Sequence, residues 1–300
     1  MGLEDFIRKL RPNISDTSIK TYCSVLRAFY KRMYPADTHF DTDKFLKDKD
    51  RILHTLNDTP MSKRKTLTSA IVVLTNRDPE YRDLMMNDIK ATEAETDKQE
   101  LTDKQRENWL TKKEIEDKTK HAFNEFSLLA KKPSHNAKEL QKMQNFIILS
   151  LYSGKYVAPR RALDYAVMKT VGDIDEENDN YIDMKQKKFV FNRFKTAKSH
   201  GKEQIDIPKE LFVYIKKWLL ANTSGYFLID TKNKPLSAIT LNQRMNTMFD
   251  GRKIGVNAFR KTYLTDKFGE MIPLNRELEK TMKDMGSSDA VATSYIKQVK

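Results

Sequence analysis

The chain has 300 residues, 39% hydrophobic and 32% charged. That length suits about two domains and that balance is too apolar for extended disorder. Lys and Arg number 55 against 42 Asp and Glu, a formal net charge of +13; a folded chain with that surplus wants a polyanion, nucleic acid first and an anionic membrane surface second. The longest apolar run, 146–152, suits a buried helix and falls short of the about 18 residues that a membrane span needs, so a spanning helix is excluded; nucleic acid leads as the partner expected, and no membrane is.

The start, Met1-Gly2-Leu3-Glu4-Asp5-Phe6, has no apolar signal region, and Phe6 stands where a myristoylation signal needs Ser or Thr. The expectation is an intracellular, non-secreted protein, in cytoplasm or nucleus. The single cysteine, Cys23, cannot form an internal disulfide and falls at an apolar helical spacing, which fits packed core in a reducing compartment.

Turn signals at Pro12-Asn13, Tyr34-Pro35, Thr59-Pro60 and Asp78-Pro79 divide residues 1–90 into helices, four by count, forming one helical domain. Ser15 reads as an N-cap. After it Ile19, Tyr22, Cys23, Leu26, Phe29, Tyr30 and Met33 recur at three- and four-residue steps, while Lys20, Arg27, Lys31 and Arg32 fall largely on the other face. Ser62 reads as a second N-cap, opening on Lys63-Arg64-Lys65 against the preference of the helix dipole, a pattern that a phosphate neighbour explains. Residues 91–107 hold one large apolar residue, Leu101, and read as a linker or exposed helical spacer. The second domain, 108–300, opens with Thr111 and Glu114 at capping-box spacing, breaks at 131–136, and resumes helical periodicity from Leu140 to Ser153-Gly154.

Strands are expected only between 181 and 208, where Phe189-Val190-Phe191 and Gln204-Ile205-Asp206-Ile207 flank a turn at Ser199-His200-Gly201. Lys185, Lys187, Lys188, Arg193, Lys195, Lys198 and Lys202 crowd this hairpin beside Phe189, Phe191 and Phe194. Such a ribbon reads as a DNA contact or as an edge strand protected by lysines. The fold class is therefore mainly α with a small β-hairpin or sheet, an α+β arrangement.

His39, His54, His121, His135 and His200 are scattered without metal-ligand spacing, and neither a Walker-type loop nor a dinucleotide fingerprint occurs, so no cofactor or metal is expected. Side chains alone cleave a phosphodiester when cations neutralise the phosphate, an acid protonates the leaving oxygen and a hydroxyl attacks. The groups needed appear in order: Ser153-Gly154 and then Arg160-Arg161-Ala162-Leu163-Asp164; Lys195-Thr196 in the hairpin; Asn257-Ala258-Phe259-Arg260-Lys261-Thr262-Tyr263; and Gly286-Ser287-Ser288 followed by Ala292-Thr293-Ser294-Tyr295.

This order resembles the tyrosine recombinase or integrase family, whose catalytic domain carries a Thr-Gly-x-Arg-x-x-Glu box, a hairpin lysine, a His-x-x-Arg box, a Gly-His-Ser-Ser segment and a nucleophilic tyrosine. Arg161 with Asp164 matches the first box, with Arg160 as the fallback. Ile205-Asp206-Ile207-Pro208 is similar to the strand after the hairpin lysine, and Tyr295 takes the nucleophile position. The resemblance implies catalytic roles for Arg161, Lys195, Asn257, Arg260 and Tyr295. It also implies contacts to double-stranded DNA from Lys20, Arg27, Lys31, Lys63, Arg64, Lys65, Arg160, Arg193, Lys198 and Lys261, with the two domains clamping the duplex. The implied reaction is DNA cleavage and rejoining through a 3′-phosphotyrosyl link in a homo-tetramer, used to integrate a mobile or viral element. Five residues follow Tyr295, which leaves no long C-terminal helix for a neighbouring subunit.

Two positions depart from the family pattern. Asn257 stands for the histidine of the His-x-x-Arg box and Gly286 for the second His or Trp. Three other readings therefore stay open: a DNA-binding protein that kept the fold and lost the reaction, a type IB topoisomerase, and a basic helical protein that binds RNA or acidic lipid.

Overall fold

The computed structural model describes residues 2–297 and divides the chain into two compact units, Met1–Leu101 and Thr102–Lys300. The three residues after Lys297 in the tail that follows Tyr295 lie outside the described residues, as does Met1. No described helix is long and apolar enough to cross a membrane.

The first unit is built from α1 (Leu3–Leu10), α2 (Asp16–Met33), α3 (Thr42–Lys47), α4 (Lys49–Asn57), α5 (Met61–Leu74) and α6 (Pro79–Asp97). Ser15 caps α2 by accepting a hydrogen bond from the Ser18 N–H, and the apolar stripe of α2 is buried from Ile19 to Met33. Cys23 is packed within it, and burial pushes its thiol up. Six helices stand where four were expected: the four turn signals bound five segments, each of them helical, and the one between Pro35 and Pro60 holds two helices. Asp41 accepts from the Lys44 N–H to start α3, and Asp48 ends α3 while preceding α4. Asp41 is thus a side-chain cap, whereas Asp48 makes no such cap and its carboxylate instead accepts from the Tyr34 hydroxyl.

The expectations for α5 need correction. α5 starts at Met61 after Pro60, and Ser62 lies inside it without capping. Its cationic first turn is also divided: the Arg64 guanidinium donates to both oxygens of buried Asp88, Nε at 2.9 Å and Nη2 at 2.7 Å. This bidentate pair ties α5 to α6, leaving Lys63 exposed and Lys65 partly exposed. Of the two forms open to the polar stretch 91–107, linker or exposed helical spacer, it takes mostly the helical one, because α6 continues to Asp97 and α7 (Asp103–Glu107) follows with a capping box from Thr102 and Gln105.

The second unit continues with α8 (Lys112–Leu129), α9 (Ala137–Tyr152) and α10 (Ala162–Ala166). Thr111 and Glu114 form the expected capping box: Thr111 Oγ1 accepts from the Glu114 N–H at 3.2 Å and Glu114 Oε2 from the Thr111 N–H at 2.8 Å. Asn136 and Glu139 repeat the device on α9. The sheet comprises β1 (Tyr181–Asp183), β2 (Lys188–Phe191) and β3 (Glu203–Asp206), antiparallel in the order β1-β2-β3. Phe189 pairs with Ile182 on one side and Ile205 on the other. The expected hairpin is thus two of three strands, and its turn is a longer connection containing α11 (Ala197–His200).

α12 (Lys209–Ala221), α13 (Ala238–Met248), α14 (Val256–Phe268), α15 (Met271–Asp284), a 3-10 turn at Asp289–Val291 and α16 (Ala292–Tyr295) complete the unit. Its core joins α9 to Phe189 and Phe191 of the central strand, Trp218 of α12, Phe249 and Phe259. The indole N–H of Trp218 donates to the Phe227 carbonyl at 2.8 Å, so this ring is buried with its polar group satisfied. Gly154 holds a left-handed conformation (φ +78°), and a Cβ there would lie 2.4 Å from the Tyr263 ring. The turn after α9 and the third turn of α14 approach each other through that gap.

These contacts set two expectations for stability. Alanine at Gly154 and at Gly172, which is also left-handed but has open space around it, shares a strain cost of ~1–2 kcal/mol. Gly154→Ala adds roughly 1–3 kcal/mol of overpacking, so its melting temperature falls further, and Tyr263→Ala restores part of the difference. The Thr111 amide, helped by Arg252, holds Glu114 below the ordinary glutamate value despite the opposing effect of burial. A depressed carboxylate stabilises the fold above its unfolded pKa and loses that contribution as pH falls through the folded one. Glu114→Gln therefore lowers the melting temperature at neutral pH, by roughly 0.5–1 kcal/mol for so exposed a charge, and the gap to wild type closes on acidification.

Candidate functional site

The adjacent arginines at the start of α10 meet opposite fates. Arg160 donates from Nε to Asp164 Oδ2 at 2.8 Å and from Nη1 to Glu203 Oε2 at 2.6 Å. Its guanidinium also stacks over Phe191, 4.0 Å from the ring centroid, and over Phe194 at 5.3 Å. With its side chain only 16% exposed and both ends of its fork used, it is a structural cation. Arg161 is the N-cap residue of α10, partly exposed, with no hydrogen bond or ion pair to its side chain among the described residues.

Asp164 is the focus of this cluster. Burial raises its carboxyl above the ordinary aspartate value, against the pull of Arg160 and, more weakly, Arg161. Its Oδ1, and the hydroxyls of Tyr152 and Tyr165, are buried without a hydrogen-bond partner among the described residues. The two tyrosine rings meet edge to face at 5.8 Å.

The segment leading to Lys195 is held by a residue outside the expected set. Buried Asn180 accepts at Oδ1 from the N–H groups of Asn192 and Arg193, at 2.9 and 2.7 Å, and donates from Nδ2 to the carbonyls of Asp164 and Arg193 at 2.9 Å. Lys195 follows, exposed between β2 and α11, with Arg193 and Lys198 exposed on either side.

On α14, Arg260 Nη1 donates to Asn257 Oδ1 at 3.5 Å, a long bond that leaves the rest of the fork open. The helix is anchored behind them by Thr262 Oγ1, which donates to the Leu110 carbonyl at 2.7 Å, while Asn257 and Lys261 are exposed. Gly286 follows α15 in a left-handed turn (φ +71°), and a Cβ there would meet nothing within 4 Å. Tyr295 is 59% exposed and makes no hydrogen bond with Arg161, Lys195, Asn257 or Arg260.

Among the first unit's basic residues, Arg27 faces Glu4 at 3.8 Å, and Lys31 Nζ donates to the Pro35 and Asp37 carbonyls at 2.7 and 3.1 Å. Lys20 and Lys63 remain exposed. Of the expected DNA contacts, Arg64 and Arg160 are thus the two that are each held by a buried carboxylate, Asp88 and Asp164, among the described residues.

A cavity of about 540 Å³ lies elsewhere in the second unit, with Phe123, Phe146, Tyr156 and Tyr214 in its lining and Lys120, Lys155 and Lys267 among its charged residues. Tyr156 and Tyr214 both donate to Glu210 Oε1, and burial pushes each phenol up to about 12. Of the expected site, only the Ser153-Gly154 turn and Thr262-Tyr263 reach this cavity. No protein-family model, curated protein or solved structure matches the chain.

The contrast between the paired arginines is measurable. Arg160→Met strands the Asp164 carboxylate and lowers stability by about 3 kcal/mol. Arg161→Met changes stability by less than about 0.5 kcal/mol. Denaturant midpoints of the two variants test that order.

Proposed function

We propose that the second unit cleaves and rejoins duplex DNA through a covalent phosphotyrosyl link. The observation that carries this reading is that Arg161 and Arg260, the two arginines at the family-like positions, have no carboxylate partner among the described residues, while the neighbouring Arg160 is held by two carboxylates, Asp164 and Glu203. A guanidinium kept free of internal anions is available to a phosphate.

In the reaction, Arg161 and Arg260 hold the non-bridging oxygens of the scissile phosphate. The Tyr295 hydroxyl attacks phosphorus, the bond to the 5′ oxygen breaks, and Lys195 gives that oxygen its proton. A 5′ hydroxyl from another strand reverses the step. Exchange between two duplexes takes four copies of the chain, and integration of a mobile or viral element is the use that fits. Asn257 supplies a neutral hydrogen-bond donor where the family pattern has histidine. Losing one transition-state donor costs roughly 10²–10³ in rate, so the reaction is slow compared with a site that has both histidines.

A second reading, a duplex-binding protein that has lost the reaction, is favoured by the solvent-facing Tyr295 ring, which no expected catalytic group contacts. The two readings separate in one experiment. Wild type and Tyr295→Phe are incubated in metal-free buffer with a duplex library containing nicked strands and resolved on denaturing gels. The expected result is a detergent-resistant protein–DNA adduct with wild type alone, with equal salt-sensitive duplex binding by both. Tight binding without adduct establishes the second reading, and an adduct that survives Tyr295→Phe removes Tyr295 as nucleophile.

A further inference from the structure

Arg244, on α13, stands apart from the paired arginines of the second unit. Arg160 is held by Asp164 and Glu203, and Arg252 donates to Glu114 Oε1 at 2.8 Å. The Arg244 side chain is partly buried, yet it has no hydrogen bond, ion pair or ring contact among the described residues. Desolvation alone acts on it and lowers its pKa to about 10. It therefore keeps its charge at neutral pH, and a desolvated charge without a partner is costly.

The position of α13 says which anion would remove that cost. The helix packs against α10, whose N-cap residue is Arg161. It also grips the start of the helix that carries Arg260: Asn246 Oδ1 accepts from the Ile254 N–H at 3.0 Å and Asn242 Oδ1 from the Val256 N–H at 3.1 Å. α13 thus connects the elements bearing Arg161 and Arg260, neither of which has a carboxylate partner among the described residues, and it brings a third arginine.

We propose that Arg244 is a further phosphate-binding residue of the second unit, completing its guanidinium fork on a phosphodiester oxygen of bound DNA. The identity of that ligand rests on the proposed function; the need for an oxyanion rests on Arg244 itself. Free phosphate offers the same chemistry, and the experiment distinguishes the two sources.

The full chain is compared with Arg244→Met, which keeps the apolar stem, and with Arg244→Lys, which keeps the charge. Melting temperatures are read with and without sodium phosphate, and duplex affinity is read across a salt series. Without anion, Arg244→Met is expected to melt at or above wild type, since it removes an unpaired charge and breaks no bond. On duplex DNA its affinity falls about tenfold and the slope of log affinity against log salt becomes shallower by about 0.9, the value of one phosphate contact. Arg244→Lys recovers the slope.

If Arg244→Met instead melts well below wild type and leaves the slope unchanged, Arg244 is a packing residue and the inference is overturned. If phosphate raises the wild-type melting temperature more than that of Arg244→Met while the slopes agree, free phosphate is the ligand and the DNA contact is overturned. Absence of duplex binding by wild type overturns the proposed function together with the DNA contact, and the phosphate arm then decides whether Arg244 takes an oxyanion at all.

Discussion

A carboxylate as deeply buried as Asp164 has to be neutralised, and the second unit is arranged around the arginine that does so. Arg160 reaches Asp164 with one edge of its fork and Glu203, at the start of β3, with another nitrogen, while its flat face lies on Phe191 of β2. One side chain thereby fixes the first turn of α10 against two strands of the sheet. An apolar triad of the same shape would be about as stable, but it would not specify which residues meet. What the ion pairs add is register, and they leave Arg161, one residue later, without any internal carboxylate among the described residues.

The parts of this fold that are legible in sequence are those in which one short segment carries both signal and partner. Ser15 with Ser18, and Thr111 with Glu114, cap helices within four residues, so spacing alone reveals them. The α2 stripe is legible for the same reason, because a helix brings its own three- and four-residue neighbours onto one face. Where the deciding contact is not punctuated by Pro or Gly, the reading is coarser. Asp48 splits one expected helix into two, and Pro60 displaces Ser62 from the cap position that its residue type suggests. The strand β1 has no separate signal, because it is three residues long and is defined by its pairing with β2 and a bridge from Tyr181 to Lys169.

Side-chain direction is the part least legible. Arg64 sits in a run of three cations and looks solvent-facing, yet its partner Asp88 is 24 residues away on α6. Arg160 and Arg161 are chemically identical neighbours, and what tells them apart includes Glu203, 43 residues beyond Arg160. Asn180, which organises the approach to Lys195 with four hydrogen bonds, gives no sequence signal, since its role depends on the carbonyls and amides folded around it. A run of basic residues reports total charge, whereas the folded chain decides which of those charges remain available to a ligand.

That distinction bears directly on the two departures from the recombinase-like pattern. Histidine at the position of Asn257 would contribute both a hydrogen bond and a proton that moves near neutral pH; Asn257 contributes only the first. Charge stabilisation and proton transfer are separate demands on a phosphoryl-transfer site. A guanidinium answers the first and not the second, because it holds its proton throughout. Under the proposed reaction, Arg161, Arg260 and Arg244 offset the charge on phosphorus, and Lys195 alone among the assigned residues remains to protonate the leaving oxygen. Lys195 stands on an exposed connection whose entrance is fixed by Asn180. In that proposed reaction the catalytic burden passes from titrating rings to the placement of one lysine, and Asn180, which fixes the approach to it, is itself bonded to the carbonyl of Asp164, the residue Arg160 joins to Glu203.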